Sequence, residues 1–342
     1  MSLSVGLVGA GLAGCSHALD VVTDPGMQLV GVVSGTGRSG HSLADTFACV
    51  AYPDMRTMVE VERVDALVVA VPPGAVLDIL EQVVRSRIPC IVEKPLAVTA
   101  SDRRRLVRIA QSGVPVVAPF NRRYQSHTRR ACGYLSRGVI GGVVDVRVVW
   151  IGPFRRRFSP DGGTYRADAA ARHGVLFDSG SHALDLVSLL LGDLRAYLEG
   201  VDLRWNSAGA EVEVSLELRH QSGARIRLDI TDVDQDVTAQ QESWACTVTG
   251  KAGMLSLNKD GCVVRGHSGE TLAPSVDAGE LDRPVTDLYR LRDGATSESL
   301  GSSLTEVLQL SDVLMAAHNC GEKRRRWARP RGKALGRLNG AC

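Results

Sequence analysis

The chain reads as an α/β protein with two sheets of different kinds, and two observations carry that reading. Up to about residue 120, short apolar runs alternate with helical stretches. That is the pattern of a parallel sheet with helices on both faces. Beyond it, apolar and polar residues alternate strictly in runs joined by tight turns, the pattern of a mainly antiparallel sheet with one apolar face. The length of 342 residues favours two domains over one. We place them at 1–120 and 121–322, with a basic tail at 323–342.

The elements follow in order. Leu3 to Val8 is an apolar run, and Gly9-Ala10-Gly11-Leu12-Ala13-Gly14 opens a helix behind it. Met27 to Val33 and Ala66 to Val71 are strands; Pro72-Pro73 ends the latter, and a helix follows from Val76 to Val84. Pro89 to Val92 is a strand, Asp102 to Ile109 a helix and Val114 to Ala118 the last strand of the series. Val143 to Trp150 begins the second sheet. Val212, Val214, Leu216 and Leu218 alternate with polar residues, as do Ala224, Ile226, Leu228 and Ile230 after the turn Gln221-Ser222-Gly223. Trp244 to Val248, Met254 to Leu257 and Cys262 to Val264 continue the pattern, and Ser303 to His318 is helical by spacing.

Bulk composition narrows the function classes. Apolar residues are 44% and charged residues 23%, ordinary for a globular chain with a full core. No apolar run approaches the ~20 residues that span a bilayer. The N-terminus enters a strand without a basic region or cleavage site, so a cytoplasmic location is expected. The eight cysteines are scattered, with no C-x-x-C, which argues against a structural metal site and a disulfide framework. From Lys323 onward there are eight basic residues and no acid; without them the body is about −6. Such a run can bind a polyanion. A single aromatic, Trp327, stands in it without an interleaved pattern, so nucleic acid is not the expected partner, and residues beyond Arg329 are expected to be dispensable for chemistry.

Three groups of residues carry chemistry. Gly9-x-Gly11-x-x-Gly14 lies between a strand and a helix. Its glycines permit the tight turn and the approach of a pyrophosphate to the helix N-terminus, with Leu12 and Ala13 in the same loop. The second strand ends in Val33-Ser34-Gly35-Thr36-Gly37-Arg38-Ser39. No carboxylate stands there to repel a 2′-phosphate, while hydroxyls and a guanidinium can bind one, so NADP(H) is favoured and NAD(H) is the alternative. The second group is Glu93-Lys94-Pro95. The chain has 5 lysines against 35 arginines, and Lys94 is the only lysine in the first 250 residues. A lysine ammonium, unlike a guanidinium, can take part in proton transfer. The third is Gly174-x-Leu176-x-Asp178-x-Gly180-x-His182. Asp178 and His182 are four apart, so a helical turn would set them on one face, with the carboxylate orienting the imidazole as a general acid/base.

Together with Phe120-Asn121-Arg122-Arg123-Tyr124, these residues resemble the Gfo/Idh/MocA family of oxidoreductases over most of the chain. The resemblance implies a Rossmann domain and then an α/β domain whose open sheet mediates homodimers or homotetramers. It implies hydride transfer between a nicotinamide and a hydroxyl or carbonyl carbon of a sugar, keto-sugar or cyclitol. By that likeness Lys94 polarises the reacting oxygen, His182 is the acid/base and Asp178 its partner or a substrate contact. Val71, Pro72, Glu93 and Arg123 or its neighbour would lie near the cofactor. Asn121, Tyr124, Tyr165, Arg166 and His173 would face the substrate.

The chain departs from the family in places. Val76 stands in the region where a histidine is frequent, and Arg172-His173-Gly174 replaces a triple glycine. Substrate identity therefore does not transfer. An arginine-rich, lysine-poor chain points to a high-GC bacterium and to specialised biosynthesis. Other readings are a reductase of a non-sugar C=O or C=N group, an NAD-dependent glycosidase and, outside catalysis, a ligand-sensing regulator.

Overall fold

A computed structural model describes residues 2–159, 166, 174–233, 242–279, 282–294 and 300–328. The first lobe alternates strand and helix: β1 (Leu3–Val8), α1 (Leu12–Thr23), β2 (Met27–Val33), α2 (Gly37–Phe47), β3 (Val50–Tyr52), α3 (Met55–Val61), β4 (Ala66–Val69), α4 (Pro73–Ser86), β5 (Cys90–Val92), α5 (Ala100–Ala110) and β6 (Val116–Ala118). These six strands are parallel, in the order β6-β5-β4-β1-β2-β3. β4, β5 and β6 are buried at every residue, as strands covered on both faces must be. The strand order reverses between β1 and β4. Ligands of open α/β sheets bind in the crevice beyond the C-terminal strand ends at such a point.

Glycine shapes that crevice. Gly9 ends β1 at φ +112°, where a Cβ would stand 2.1 Å from the Ala70 carbonyl oxygen. A Cβ on Gly14 would stand 2.0 Å from the Gly9 carbonyl oxygen. Only glycine at both positions lets β1 turn directly into α1 while touching the end of β4.

The second lobe begins with a helical turn at Asn121–Tyr124. It continues through α6 (Ser126–Ser136), β7 (Val143–Gly152), α7 (Phe154–Arg157), α8 (Ser179–Leu191), β8 (Ala196–Trp205), β9 (Glu211–His220), β10 (Arg225–Asp232), β11 (Ser243–Gly250), β12 (Gly253–Asn258), β13 (Gly261–Gly266) and β14 (Thr271–Asp277). The eight strands lie in the order β14-β13-β12-β11-β7-β10-β9-β8, all antiparallel except β7 with β10. Val146, Val148 and Trp150, with Leu216, Leu218, Ile226 and Leu228, bury one face against α8. The other face is open and carries ion pairs such as Arg225–Asp145 and Arg147–Asp229. Among the described residues no helix is long and apolar enough to cross a membrane.

The chain then returns to the first lobe, which the expected unit 121–322 did not anticipate. Val285, and Leu288 and Leu291 of α9 (Asp287–Arg292), are buried with Leu3, Val5 and Leu29. β15 (Ser302–Ser303) joins β6 as an antiparallel edge. α10 (Leu304–Ala328) packs against α5, α8 and β8. The basic run at 323 therefore starts inside a helix: Arg324 donates to the Val201 carbonyl at 2.6 Å, and Arg325 pairs with Glu322.

One buried cation joins these parts. Arg123 donates through Nε to both oxygens of Asp185 on α8, at 2.9 and 3.0 Å, and through Nη2 to Glu306 on α10 at 2.8 Å. Ser302 of β15 donates to Asp185. Next to it, Tyr124 is fully buried and donates to Asp287 of α9 at 2.7 Å. Removing one partner of such a group leaves a buried charge uncompensated, which costs about 3–5 kcal/mol. Arg123→Ala should lose stability on that scale, read as a lower denaturant midpoint at an unchanged slope.

Candidate active site

A cleft of about 1010 Å³ lies between the lobes, and Ala13, Glu93, Lys94, Asn121, Arg122, Arg166, Asp178 and His182 all line it. The first lobe supplies the C-terminal ends of its strands. Lys94 follows β5, at the edge of the crevice beside β4. The second lobe supplies the N-terminal end of α8. Asp178 is the N-cap of that helix, at φ −82° and ψ −82°, yet its side chain makes no capping hydrogen bond.

The Asp178 carboxylate is turned across the cleft. Lys94 Nζ donates to its Oδ1 at 2.7 Å and approaches its carbonyl oxygen at 3.5 Å. Arg166 Nε donates to Oδ2 at 3.0 Å, and Arg157 lies 3.6 Å from the same oxygen. Burial raises the carboxyl, but the Lys94 and Arg166 charges and their hydrogen bonds outweigh it and hold Asp178 well below the usual carboxylate range. An ammonium has three N–H donors, so Lys94 keeps capacity for one further oxygen.

This corrects one expectation. Asp178 makes no hydrogen bond to His182 among the described residues; it orients Lys94 instead. The His182 ring stands edge-on to Phe120 at 5.5 Å and 6.1 Å from Trp150. Its Nδ1 is buried without a partner among the described residues. Burial first, then the Lys94, Arg122 and Arg166 charges, push the imidazole well below its ordinary value, with Asp178 opposing. His182 is therefore neutral near pH 7.

Other expected residues divide into those at the cleft and those elsewhere. Gly11, Leu12 and Ala13 are exposed at the start of α1. A Cβ on Gly11 would meet nothing within 4 Å, so the uncapped helix N-terminus has open space before it. Val71 and Pro72 follow β4 at the same crevice. Beyond β2, Ser34 shares a hydrogen bond with Ser39 at 2.7 Å, and Thr36 with Ser39 at 2.6 Å. Gly35 and Arg38 are exposed beside them, and the first turn of α2 holds no acid. Glu93 is bonded to His17 Nε2 at 2.9 Å. Arg123 does not reach the cleft, because Asp185 and Glu306 hold it in the core; its neighbour Arg122 lines the cleft instead. Tyr124 does not reach it either: burial and Asp287 push its phenol far up, so it cannot serve as a proton donor. Val76 is buried in α4. Tyr165 and His173 lie outside the described residues.

Several cleft residues had no signal in sequence. Trp150 and Trp244 are cross-strand partners on β7 and β11, stacked at 6.2 Å. Glu242 accepts from Trp150 Nε1, Arg157 and, at 3.4 Å, Ser179. The pairing of His17 with Glu93 joins residues 76 apart. The strand read from Val143 to Trp150 is β7, but that reading did not put Trp150 at the cleft.

Comparison with known proteins fits this geometry. Residues 3–118 match the oxidoreductase family with an NAD-binding Rossmann fold, and residues 128–256 match the GFO/IDH/MocA C-terminal domain. The chain belongs to the Gfo/Idh/MocA oxidoreductases. An inositol 2-dehydrogenase of Rhizobium meliloti is 26% identical over 65% of this chain and 67% of its own length. A D-apiose dehydrogenase of Paraburkholderia graminis is 25% identical over 74% of this chain and 67% of its own. A dTDP-3,4-didehydro-2,6-dideoxy-alpha-D-glucose 3-reductase of Streptomyces violaceoruber is 29% identical, covering 53% of this chain and 54% of its own. Among solved structures, GenD2 from gentamicin A biosynthesis in complex with NAD superposes at a TM-score of 0.74, with 23% identity and 95% of both chains covered. That last likeness shows the fold.

The charge arrangement makes a prediction for pH. A histidine whose folded pKa is lowered binds its proton more weakly than in the unfolded chain, so it costs stability as pH falls below its ordinary value of 6.5. In an NMR titration, the His182 ring signals should not move between pH 8 and 6.5 and should shift only below that. A midpoint at or above 6.5 would mean that the surrounding cations do not act on the ring as described.

Proposed function

We propose that the chain transfers a hydride between a nicotinamide dinucleotide, NADP(H) in preference to NAD(H), and a hydroxyl or carbonyl carbon of a sugar, keto-sugar or cyclitol. The observation that carries this is the convergence of Lys94, Asp178 and His182 at the mouth of the dinucleotide crevice. The inositol and apiose dehydrogenases among the relatives support a polyol substrate. The dTDP-sugar 3-reductase supports a keto-sugar.

The chain suits the dinucleotide in two places. The backbone from Gly9 to Gly14 leaves the N-terminus of α1 open for a pyrophosphate, whose charge the helix end favours. Ser34, Gly35 and Arg38 offer a hydroxyl, a backbone N–H and a guanidinium to a 2′-phosphate, and no carboxylate opposes it. When bound, the dinucleotide supplies or accepts the hydride. Val71, Pro72 and Glu93 border its path at the ends of β4 and β5.

The protein's own groups manage the oxygen and its proton. Lys94 donates a hydrogen bond to the reacting oxygen and stabilises the charge that develops there. Asp178 holds Lys94 in place through its 2.7 Å bond. Neutral His182 takes the hydroxyl proton in oxidation and returns it in reduction. A regulator that only senses a ligand needs no such division of labour. The open face of the second sheet supports assembly into a homodimer or homotetramer.

Two measurements test the reading. The purified protein is offered inositols, aldoses and nucleotide-linked keto-sugars with either dinucleotide, and nicotinamide absorbance is followed. Lys94→Ala and His182→Ala should each lower turnover by about 10²-fold or more, while dinucleotide affinity changes little. Near-normal turnover of His182→Ala would remove it from the chemistry. Separately, fluorescence titration should give tighter binding of NADPH than of NADH, and Arg38→Ala should erase the difference. Tighter NADH binding by the parent protein would reverse the cofactor preference.

A further inference from the structure

Arg122 has a different environment from every other cation of the cleft. It stands in the turn at Asn121–Tyr124 and, unlike Arg123, lines the cleft. Its guanidinium carbon lies 4.8 Å from the centre of the Trp150 ring and 5.2 Å from that of Trp244. Nη1 donates to the Asn121 side chain at 2.7 Å, and Nε is buried with no partner among the described residues. Among those residues no carboxylate pairs with it.

The carboxylates along the cleft are already engaged. Asp178 is held by Lys94 and Arg166, and Glu242 by Arg157. Glu93 is bonded to His17, Asp20 lies 4.0 Å from Arg283, and Asp282 pairs with Arg129 at 2.7 Å. Along the whole cleft, six cations (Lys94, Arg122, Arg157, Arg166, Lys259 and Arg283) therefore face five carboxylates (Asp20, Glu93, Asp178, Glu242 and Asp282), and Arg122 is the cation for which no carboxylate partner stands among the described residues. The rings attract the Arg122 cation but do not neutralise it. A buried excess of positive charge is costly unless something of opposite sign completes it. Stacking uses the face of a guanidinium and leaves its N–H edge available, a fork that matches a carboxylate or phosphate. The dinucleotide's pyrophosphate has its own place, at the start of α1 on the other lobe.

We infer that Arg122 binds an anionic group carried by the substrate, so that the substrate is an acidic carbohydrate bearing a carboxylate or a phosphate. This rests on the reading of the cleft as a sugar oxidoreductase site. Arg122 then acts as a specificity residue: Trp150 and Trp244 hold the guanidinium in the cleft, and the anion anchors the sugar beside His182 and Lys94.

The test is calorimetric titration of the full chain, saturated with the dinucleotide that it binds more tightly. The probes are D-glucuronate, D-glucose 6-phosphate and D-glucose. At least one anionic probe should bind about tenfold or more tightly than glucose, the scale of a charge-assisted hydrogen bond. Which of the two does so separates carboxylate from phosphate recognition. Arg122→Met should remove that advantage and leave glucose binding, dinucleotide affinity and the melting temperature near those of the parent, and Arg122→Lys should restore part of it. The inference is overturned if glucose binds as well as both anions, if neither anion binds, or if the preference survives in Arg122→Met. It is overturned too if that variant loses the dinucleotide by the same factor, which would make Arg122 a cofactor residue. Failure of the oxidoreductase reading looks different: neither dinucleotide binds, or no sugar turns over in the parent protein.

Discussion

A guanidinium buried in the core has to be neutralised, and the way Arg123 meets that requirement organises the molecule. Its two carboxylates come from α8 and α10, and Ser302 closes the group from the edge of the first sheet. The same four-residue turn that carries Arg123 also carries Tyr124, bonded to Asp287. The link between the lobes is thus an ion-paired rivet with a hydroxyl beside it. Because α8 is fixed at Asp185, its N-terminus is fixed as well. That N-terminus holds Asp178 against Lys94 and His182 against Phe120.

The charge pattern at the cleft follows from that placement. An aspartate at a helix N-cap normally bonds to the backbone of its own first turn. Asp178 forgoes that bond and receives Lys94 and Arg166 instead. Their charges keep the carboxylate ionised; burial first, and then the same charges, keep His182 neutral. One arrangement thereby provides a positive donor and an uncharged base within a single site. The two requirements would conflict if Asp178 were bonded to the imidazole, as the four-residue spacing had implied.

Sequence alone made much of this legible where the signal is local. The β1 glycines, the run ending at Lys94 and the alternation in β9 and β10 each reflect a constraint within a few residues. Shorter or less regular elements left no such trace. β15 is two serines, β3 is three residues, and β8 is an edge strand whose inner face, at Ala196, Leu198, Val201 and Leu203, is covered by α10 and is fully buried only at Val201. The return of α9 and α10 to the first lobe depends on contacts over more than 200 residues, such as the hydrogen bond from Tyr289 of α9 to Asp24, and no local pattern encodes it. The same holds for the cleft. Asp178 and His182 announced themselves by spacing, but the partner of Asp178 is Lys94, 84 residues away. Trp150 and Trp244 read as ordinary strand residues until the register of β7 against β11 brings them together, and Glu242 stands just before β11.

Arg122 and Arg123 show how far residue type falls short of role. They are adjacent, alike in chemistry and both withdrawn from solvent to a large degree. In a tight helical turn, successive side chains leave in different directions, so one entered the core and the other the cleft. Arg123 met two carboxylates there, which hold its proton more firmly than in water. Arg122 met two indole faces; burial lowers its pKa to about 10, with Glu242 opposing, which still leaves it charged at neutral pH. The first cation is satisfied within the fold and contributes to holding it. The second retains unspent hydrogen-bonding capacity in a space open to small molecules. A positive charge left in that condition is explained by folding stability poorly and by a ligand well, since no carboxylate among the described residues is hydrogen-bonded to it.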